Sequence, residues 1–256
     1  NVAGVTFNID NNKYTYASDS SESQYEGLIL LQDFSDKNAG TQNFSGITLN
    51  ITRLDSPSSA KQLLYVYDNQ DGIISYNQPA VTGDSSIEKF AVAKVGDFYS
   101  PSLASAVAAA TASDTVKLLK DVKGTASTSI TKTVTIDLNG YSVTRTTAAA
   151  NKNSILPTFL VNGGNLTMND TSISKTGKVI SELTQENVTG AMSNAVYVLN
   201  GSFTLKNGAL TATTTATTDN TSWDASYGVY LSASATFVME NGSINATADD
   251  GAGYGV

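Results

Sequence analysis

The chain is 256 residues long, 40% hydrophobic and only 15% charged, with a formal net charge of −8. That is enough apolar material to build one large domain or two modest ones, which excludes a disordered tail. The acidity argues against nucleic acid, whose phosphates need clustered lysine and arginine, and against docking on anionic lipid.

Histidine and cysteine are both absent. Imidazole acid–base chemistry, histidine-dependent triads and ordinary zinc sites go with them, and neither a metal nor a cofactor is expected. No apolar run approaches the roughly 18–20 residues of a membrane span, and Asn1 does not open a signal peptide. The chain is therefore expected to be a fragment of a mature ectodomain. Asn-x-Ser/Thr triplets occur at Asn43, Asn50, Asn165, Asn169, Asn187, Asn200, Asn220, Asn241 and Asn245. They are read as the chance yield of an Asn-, Ser- and Thr-rich chain rather than as glycan acceptors.

Taken in order, Val5–Ile9, Leu28–Leu31, Ile47–Ile51 and Leu63–Tyr67 read as strands. Asn69-Gln70-Asp71-Gly72, between Val66-Tyr67 and Ile73-Ile74, reads as a hairpin turn. Residues 1–94 are expected to form a separate small β-rich domain, with a boundary near 92–100. A helix is predicted over Leu103–Ala112, with Ser102 as N-cap and Leu103, Ala106, Val107 and Ala110 on one face. It precedes a strand near Val116–Leu119 and would plug the open end of the C-terminal β structure.

Residues beyond the helix repeat. Val196-Tyr197-Val198 and Phe203-Thr204-Leu205-Lys206-Asn207-Gly208 align with Val229-Tyr230-Leu231 and Phe237-Val238-Met239-Glu240-Asn241-Gly242 at a shift of about 34 residues. Phe159-Leu160-Val161 with Leu166-Thr167-Met168, and Val134-Thr135-Ile136-Asp137-Leu138-Asn139-Gly140, are earlier and weaker copies. Each is short, alternates with period two and ends at a glycine corner, so it must pair with the equivalent strand of the next coil. Val134/Ile136, Leu166/Met168, Phe203/Leu205 and Phe237/Met239 are expected to face inward, and Asp137, Thr167, Thr204 and Val238 outward. Residues 113–256 should then form about four coils of parallel strands. Tyr254-Gly255-Val256 repeats Tyr227-Gly228-Val229, so the parent protein is expected to run on into further coils.

Phe98-Tyr99, Leu103-Ala104-Ser105-Ala106-Val107, Asp114–Val122 and the Ile136-Asp137-Leu138-Asn139-Gly140 block together resemble the opening of pectate-lyase-like right-handed parallel β-helix modules of bacterial adhesin-like surface proteins. The resemblance spans about residues 95–256. It implies an all-β chain: a right-handed solenoid with a capping helix, preceded by the N-terminal domain. It also implies a place at the bacterial cell surface or outside the cell. Among such proteins are adhesion modules, immunoglobulin-binding proteins and carbohydrate-active enzymes.

The repeat also locates candidate sites. Insertions recur at one phase, near 146–158, 182–194, 213–226 and 247–253, and would line one edge of the solenoid. The third carries the single tryptophan, Trp223, with Asp219, Asp224 and Tyr227 around it; an aromatic ring beside carboxylates suits a sugar. The competing reading folds Trp223 back onto the wall. Tyr197 and Tyr230 share an outward position in adjacent coils, either as a partner-binding ladder or as simple cross-strand packing. Asp68…Asp71-Gly72 misses calcium-loop spacing, and Asp249-Asp250 reads as turn chemistry. Arg145 and Lys178 qualify as lyase bases only by being basic, and are read as structural surface charge. The expected function is recognition of a host glycan, mucin or host protein such as immunoglobulin, without catalysis. A polysaccharide lyase or glycoside hydrolase of the same fold is the alternative.

Overall fold

Short alternating strands that cannot form hairpins alone are stable only when stacked on their equivalents in neighbouring coils. The structure, a computed structural model, describes residues 4–10, 27–33, 42–43, 47–52, 62–68, 76–77, 80–149, 151, 153–185, 190–216, 224–249 and 251–256. It is 62% strand and forms a parallel β-solenoid of about five turns. The chain divides into two compact units, Asn1–Ala106 and Val107–Val256.

The first unit carries β1 (Val5–Asp10), β2 (Gly27–Asp33), β3 (Gln42–Asn43), β4 (Ile47–Thr52), β5 (Gln62–Asp68), β6 (Tyr76–Asn77), β7 (Ala80–Gly83), β8 (Ala93–Val95) and β9 (Phe98–Ser100). All four strands expected from the sequence are present. Although no repeat is visible in their sequence, β1, β4 and β7 pair in parallel, as do β2 with β5 and β3 with β6. Side chains track the stack: Asn50 donates to Asn8 Oδ1 at 3.0 Å, and Thr82 donates to Asn50 Oδ1 at 3.3 Å. The hairpin expected at Asn69–Gly72 lies outside the described residues, and β5, its would-be first arm, pairs in parallel with β2. Among the described residues the antiparallel contacts are β8 with β9 and β7 with β9.

Helix α1 (Leu103–Ala109) begins where Ser102 Oγ accepts the Ser105 N–H at 3.1 Å, the capping bond expected of that serine. Leu103, Ala106, Val107 and Ala110 are all buried, as the apolar stripe requires. The helix stops at Ala109 rather than Ala112 because the Asp114 carboxylate takes the Thr111 N–H at 2.7 Å. Lys132, between the third and fourth strands of the solenoid, donates to the Ala108 carbonyl at 2.6 Å. The last helical turn is thereby tied to the first coil.

The second unit holds β10 (Thr115–Leu118), β11 (Val122–Gly124), β12 (Thr128–Ile130), β13 (Val134–Asp137), β14 (Ser142–Ala149), β15 (Ile155–Asn169), β16 (Lys178–Gln185), β17 (Met192–Leu205), β18 (Ala209–Ala216), β19 (Asp224–Leu231), β20 (Thr236–Met239), β21 (Ser243–Ala248) and β22 (Gly251–Tyr254). They wind into three walls. The first wall stacks β10, β13, the second half of β15, the second half of β17, and β20. The second stacks β11, β14, β16, β18 and β21. The third stacks β12, the first half of β15, the first half of β17, β19 and β22. Every pairing is parallel, and β15 and β17 each turn a corner without a break, at a register shift near Val161–Gly164. The solenoid has about five turns where about four were expected, and the strand expected near Val116–Leu119 is β10 of its first coil.

The register is the one the repeat implies. Val134, Leu166, Phe203 and Phe237 form one column, and Ile136, Met168, Leu205 and Met239 the next. In the first three coils of each column these side chains are no more than 1% exposed. Phe203 and Phe237 stack with ring centroids 5.3 Å apart. Burial of these columns, at about 25 cal/mol per Å² of apolar surface, is the main stabilising force.

Two residues depart from expectation. Asp137 lies on the outward side of its strand but is only 4% exposed. It accepts the Asn139 and Thr171 N–H groups and the Thr171 hydroxyl, the last at 2.6 Å, and so pins the corner of the next coil. Arg145 is not surface charge. It stands in the inward register of β14 beside Val143 and is 7% exposed, whereas Lys178 is exposed as expected.

The corners between the first two walls give several asparagines a common role. Asn207 donates to Asn169 Oδ1 and Asn241 to Asn207 Oδ1, each at 3.1 Å, so the amides form a ladder up the solenoid. Gly208 (φ +106°) and Gly242 (φ +111°) come next in the chain, in the left-handed region that makes glycine obligatory there. Asn165 is placed in a similar way, donating to Thr133 and accepting from Ser202. In the third coil the corner is longer, and Asp170, fully buried, ties it down by accepting the Gly140, Ser172 and Gly177 N–H groups at 2.9, 3.1 and 2.6 Å.

Candidate functional site

The third wall is nearly free of charge. Along its strand segments, 128–130, 155–161, 192–198, 224–231 and 251–254, only Asp224 carries a charge at neutral pH. In-register parallel neighbours point the same way, so side chains on this wall form columns. Ser129, Leu160, Tyr197 and Tyr230 make one, and Pro157, Asn194, Tyr227 and Tyr254 another.

The tyrosines of the two columns touch. Tyr197 and Tyr230 have ring centroids 5.1 Å apart and tilted by 51°, Tyr227 and Tyr230 are 4.8 Å apart at 59°, and Tyr227 and Tyr254 are 4.9 Å apart and nearly parallel at 14°. Tyr197, Tyr227 and Tyr230 are half-buried and Tyr254 is 41% exposed. The Tyr197 hydroxyl lies 3.1 Å from Ser232 Oγ. Burial, then the neighbouring phenols Tyr254 and Tyr230, push the Tyr227 hydroxyl above its ordinary range, so this phenol stays neutral at physiological pH. In the same column Asn194 is fully buried. Its amide nitrogen donates to the Met192 carbonyl at 3.0 Å, and its Oδ1 has no partner.

Of the residues singled out from the sequence, the structure brings Tyr197, Tyr227 and Tyr230 into one cluster. It adds Tyr254, whose repeat of the Tyr227-Gly228-Val229 motif was the signal that placed it there. Trp223 and Asp219 lie outside the described residues. Asp224 opens β19 opposite Gly251. The insertions do share one phase: after the first coil, every connection from the second wall to the third falls there, between β14 and β15, β16 and β17, β18 and β19, and β21 and β22. They are shorter than expected, because much of 146–158, 182–194, 213–226 and 247–253 is strand.

Asp249 is exposed, and its N–H donates to the Thr214 carbonyl at 3.1 Å; Asp250 and Asp71-Gly72 lie outside the described residues. Among the described residues, no group of three or more His, Cys, Asp or Glu could hold a metal ion. Nor, among them, is any helix long and apolar enough to cross a membrane. Compared with known proteins, the chain matches no family model, no curated protein and no solved structure.

Proposed function

We propose that this chain is an extracellular module of a bacterial surface protein that binds a host ligand through its third wall, without catalysis. The observation that carries the reading is the tyrosine tier: four mutually packed phenols on a sheet face nearly free of charge. Tyrosine is enriched at recognition surfaces because it offers large, rigid, amphipathic area at little entropic cost. Rings packed against one another leave less of their faces, and keep part of their edges and hydroxyls, for a partner. That geometry suits a protein such as immunoglobulin, or the protein core of a mucin, better than it suits a sugar ring lying flat. A glycan would instead use Trp223, the residue that precedes β19 in the sequence.

The test is a binding screen against immunoglobulins, mucin and host glycans, and then titration of variants against the ligand found. Tyr197→Ala combined with Tyr230→Ala should weaken binding by about 2 kcal/mol or more, roughly thirtyfold. Full affinity in that double variant, with loss in Trp223→Ala, would move the site to the loop edge. Cleavage of a polysaccharide with no host ligand bound would overturn the binding reading in favour of a lyase or hydrolase.

A further inference from the structure

Two demands of the fold meet at one pair of residues. The corner between the first two walls uses an asparagine for the amide ladder and a glycine after it. At Gly242 a Cβ would lie 2.4 Å from the Gly208 carbonyl oxygen, so the close stacking of coils admits no side chain there. Asn-Gly is also the dipeptide in which the following backbone nitrogen attacks the asparagine side chain most readily, because glycine has no β-carbon in the way.

At Asn241 the structure brings the reacting groups together. The Gly242 N–H donates to Asn241 Oδ1 at 2.8 Å, so the nitrogen lies against the side-chain amide whose carbon it would attack. Asn241 and Gly242 are both exposed, open to water and to solvent base. The ladder steadies the side chain through Nδ2, which donates to Asn207 Oδ1 at 3.1 Å.

The other Asn-Gly pairs are held differently. Asn207 has both ends of its amide engaged, Nδ2 with Asn169 and Oδ1 with Asn241, and Gly208 is buried. The Gly140 N–H is committed to Asp170 Oδ1, and Asn139 Nδ2 to the Leu118 carbonyl, each at 2.9 Å. Asn162-Gly163 and Asn200-Gly201 run inside β15 and β17, with Asn162 and Asn200 paired in register. Strand pairing on both resists the backbone rotation that closing a ring requires.

We propose that Asn241 is a site of self-modification, which deamidates through a cyclic imide and thereby releases the corner it pins. The Gly242 nitrogen gives its proton to solvent base and bonds to Asn241 Cγ. The Cγ–Nδ2 bond breaks, and the amide nitrogen leaves as ammonia with a proton from water. Water then opens the imide at one of its two carbonyls, giving aspartate or isoaspartate; no oxidant or reductant takes part. The product carries a new negative charge and lacks the donor that Asn207 Oδ1 accepted, so the rung between the two residues is lost. In isoaspartate the main chain also gains a methylene, which breaks the register at Gly242. This chemistry does not depend on the role of the tyrosine tier.

Timed incubation of the full chain in mildly alkaline buffer, followed by peptide mass spectrometry, tests this. In the folded chain the Asn241 peptide should convert at least about tenfold faster than the Asn207 peptide, and ahead of those carrying Asn139, Asn162 and Asn200. In urea the five rates should converge. The modified chain, separated by anion exchange, should show faster amide hydrogen exchange at Ser243, whose N–H bonds the Gly208 carbonyl at 3.1 Å, and Asn241→Asp should reproduce that change. Earlier conversion at another asparagine in the folded chain, or a lead for Asn241 that persists in urea, would overturn the proposal. So would unchanged Ser243 exchange in both the modified chain and Asn241→Asp.

Discussion

Leu205→Ala is the perturbation whose size the structure sets most clearly. Leu205 is fully buried, with Met168 below it and Met239 above it in register. Removing a side chain packed on all sides costs the lost transfer energy plus the cavity, typically about 2–5 kcal/mol for Leu→Ala. We take about 3 kcal/mol from that range. With a urea m-value near about 2 kcal/mol/M, the midpoint should fall by about 1.5 M. The same column supplies its own control. Met239 occupies the equivalent position in the last coil but is 43% exposed. Met239→Ala should therefore cost less than half as much, about 1 kcal/mol. Leu205→Asp, which buries an unpaired charge, should cost several kcal/mol. Urea unfolding monitored by far-ultraviolet circular dichroism measures all three. Equal penalties at Leu205 and Met239, or an unchanged midpoint for Leu205→Asp, would refute the stacked inward column.

The remaining predictions concern corners. Burial raises the Asp170 pKa, but hydrogen bonds from Ser172, Gly177 and Gly140 outweigh it and hold the carboxyl below its ordinary 3.8. A carboxylate with a depressed folded pKa stabilises above its unfolded pKa, and that contribution is lost as pH falls through the folded value. Amide hydrogen exchange at Gly177 should therefore accelerate below about pH 4, and Asp170→Asn should flatten that dependence. Gly201 sits at φ +110°, and a Cβ there would lie 2.0 Å from the Gly164 carbonyl oxygen. Gly201→Ala should accordingly lower Tm substantially, while Gly124→Ala, with open space and ordinary φ, should leave it nearly unchanged.

How much of the structure was legible in the sequence depended on whether a residue's role is local. Phe203 and Phe237 announce their stacking because each is trailed by the same alternation and the same Asn-Gly corner. Ser102 announces the helix start because its cap is a contact three residues long. In the first unit the offset between stacked side chains drops from 42 residues to 32 within one step, so the parallel pairing left no constant period to detect. Asp137 is buried through groups donated by the next coil, which its own neighbours in sequence do not reveal. Arg145 obeys the alternation of β14, yet charge outweighs parity in any reading of sequence alone. Tyr197 and Tyr230 were visible as a repeated outward pair, whereas the contact of Tyr227 with both Tyr230 and Tyr254 needed the three-dimensional register of the third wall.

All of the functional reasoning rests on coils stacked in parallel and in register, so the pairing itself is the quantity to measure. Backbone nuclear Overhauser effects in the deuterated full chain report it directly at β17 and β20. The account predicts contacts that advance together along both strands, Ser202 with Thr236, Phe203 with Phe237, Thr204 with Val238 and Leu205 with Met239. Contacts that run in opposite senses, joining the Ser202 end of one strand to the Met239 end of the other, would contradict it.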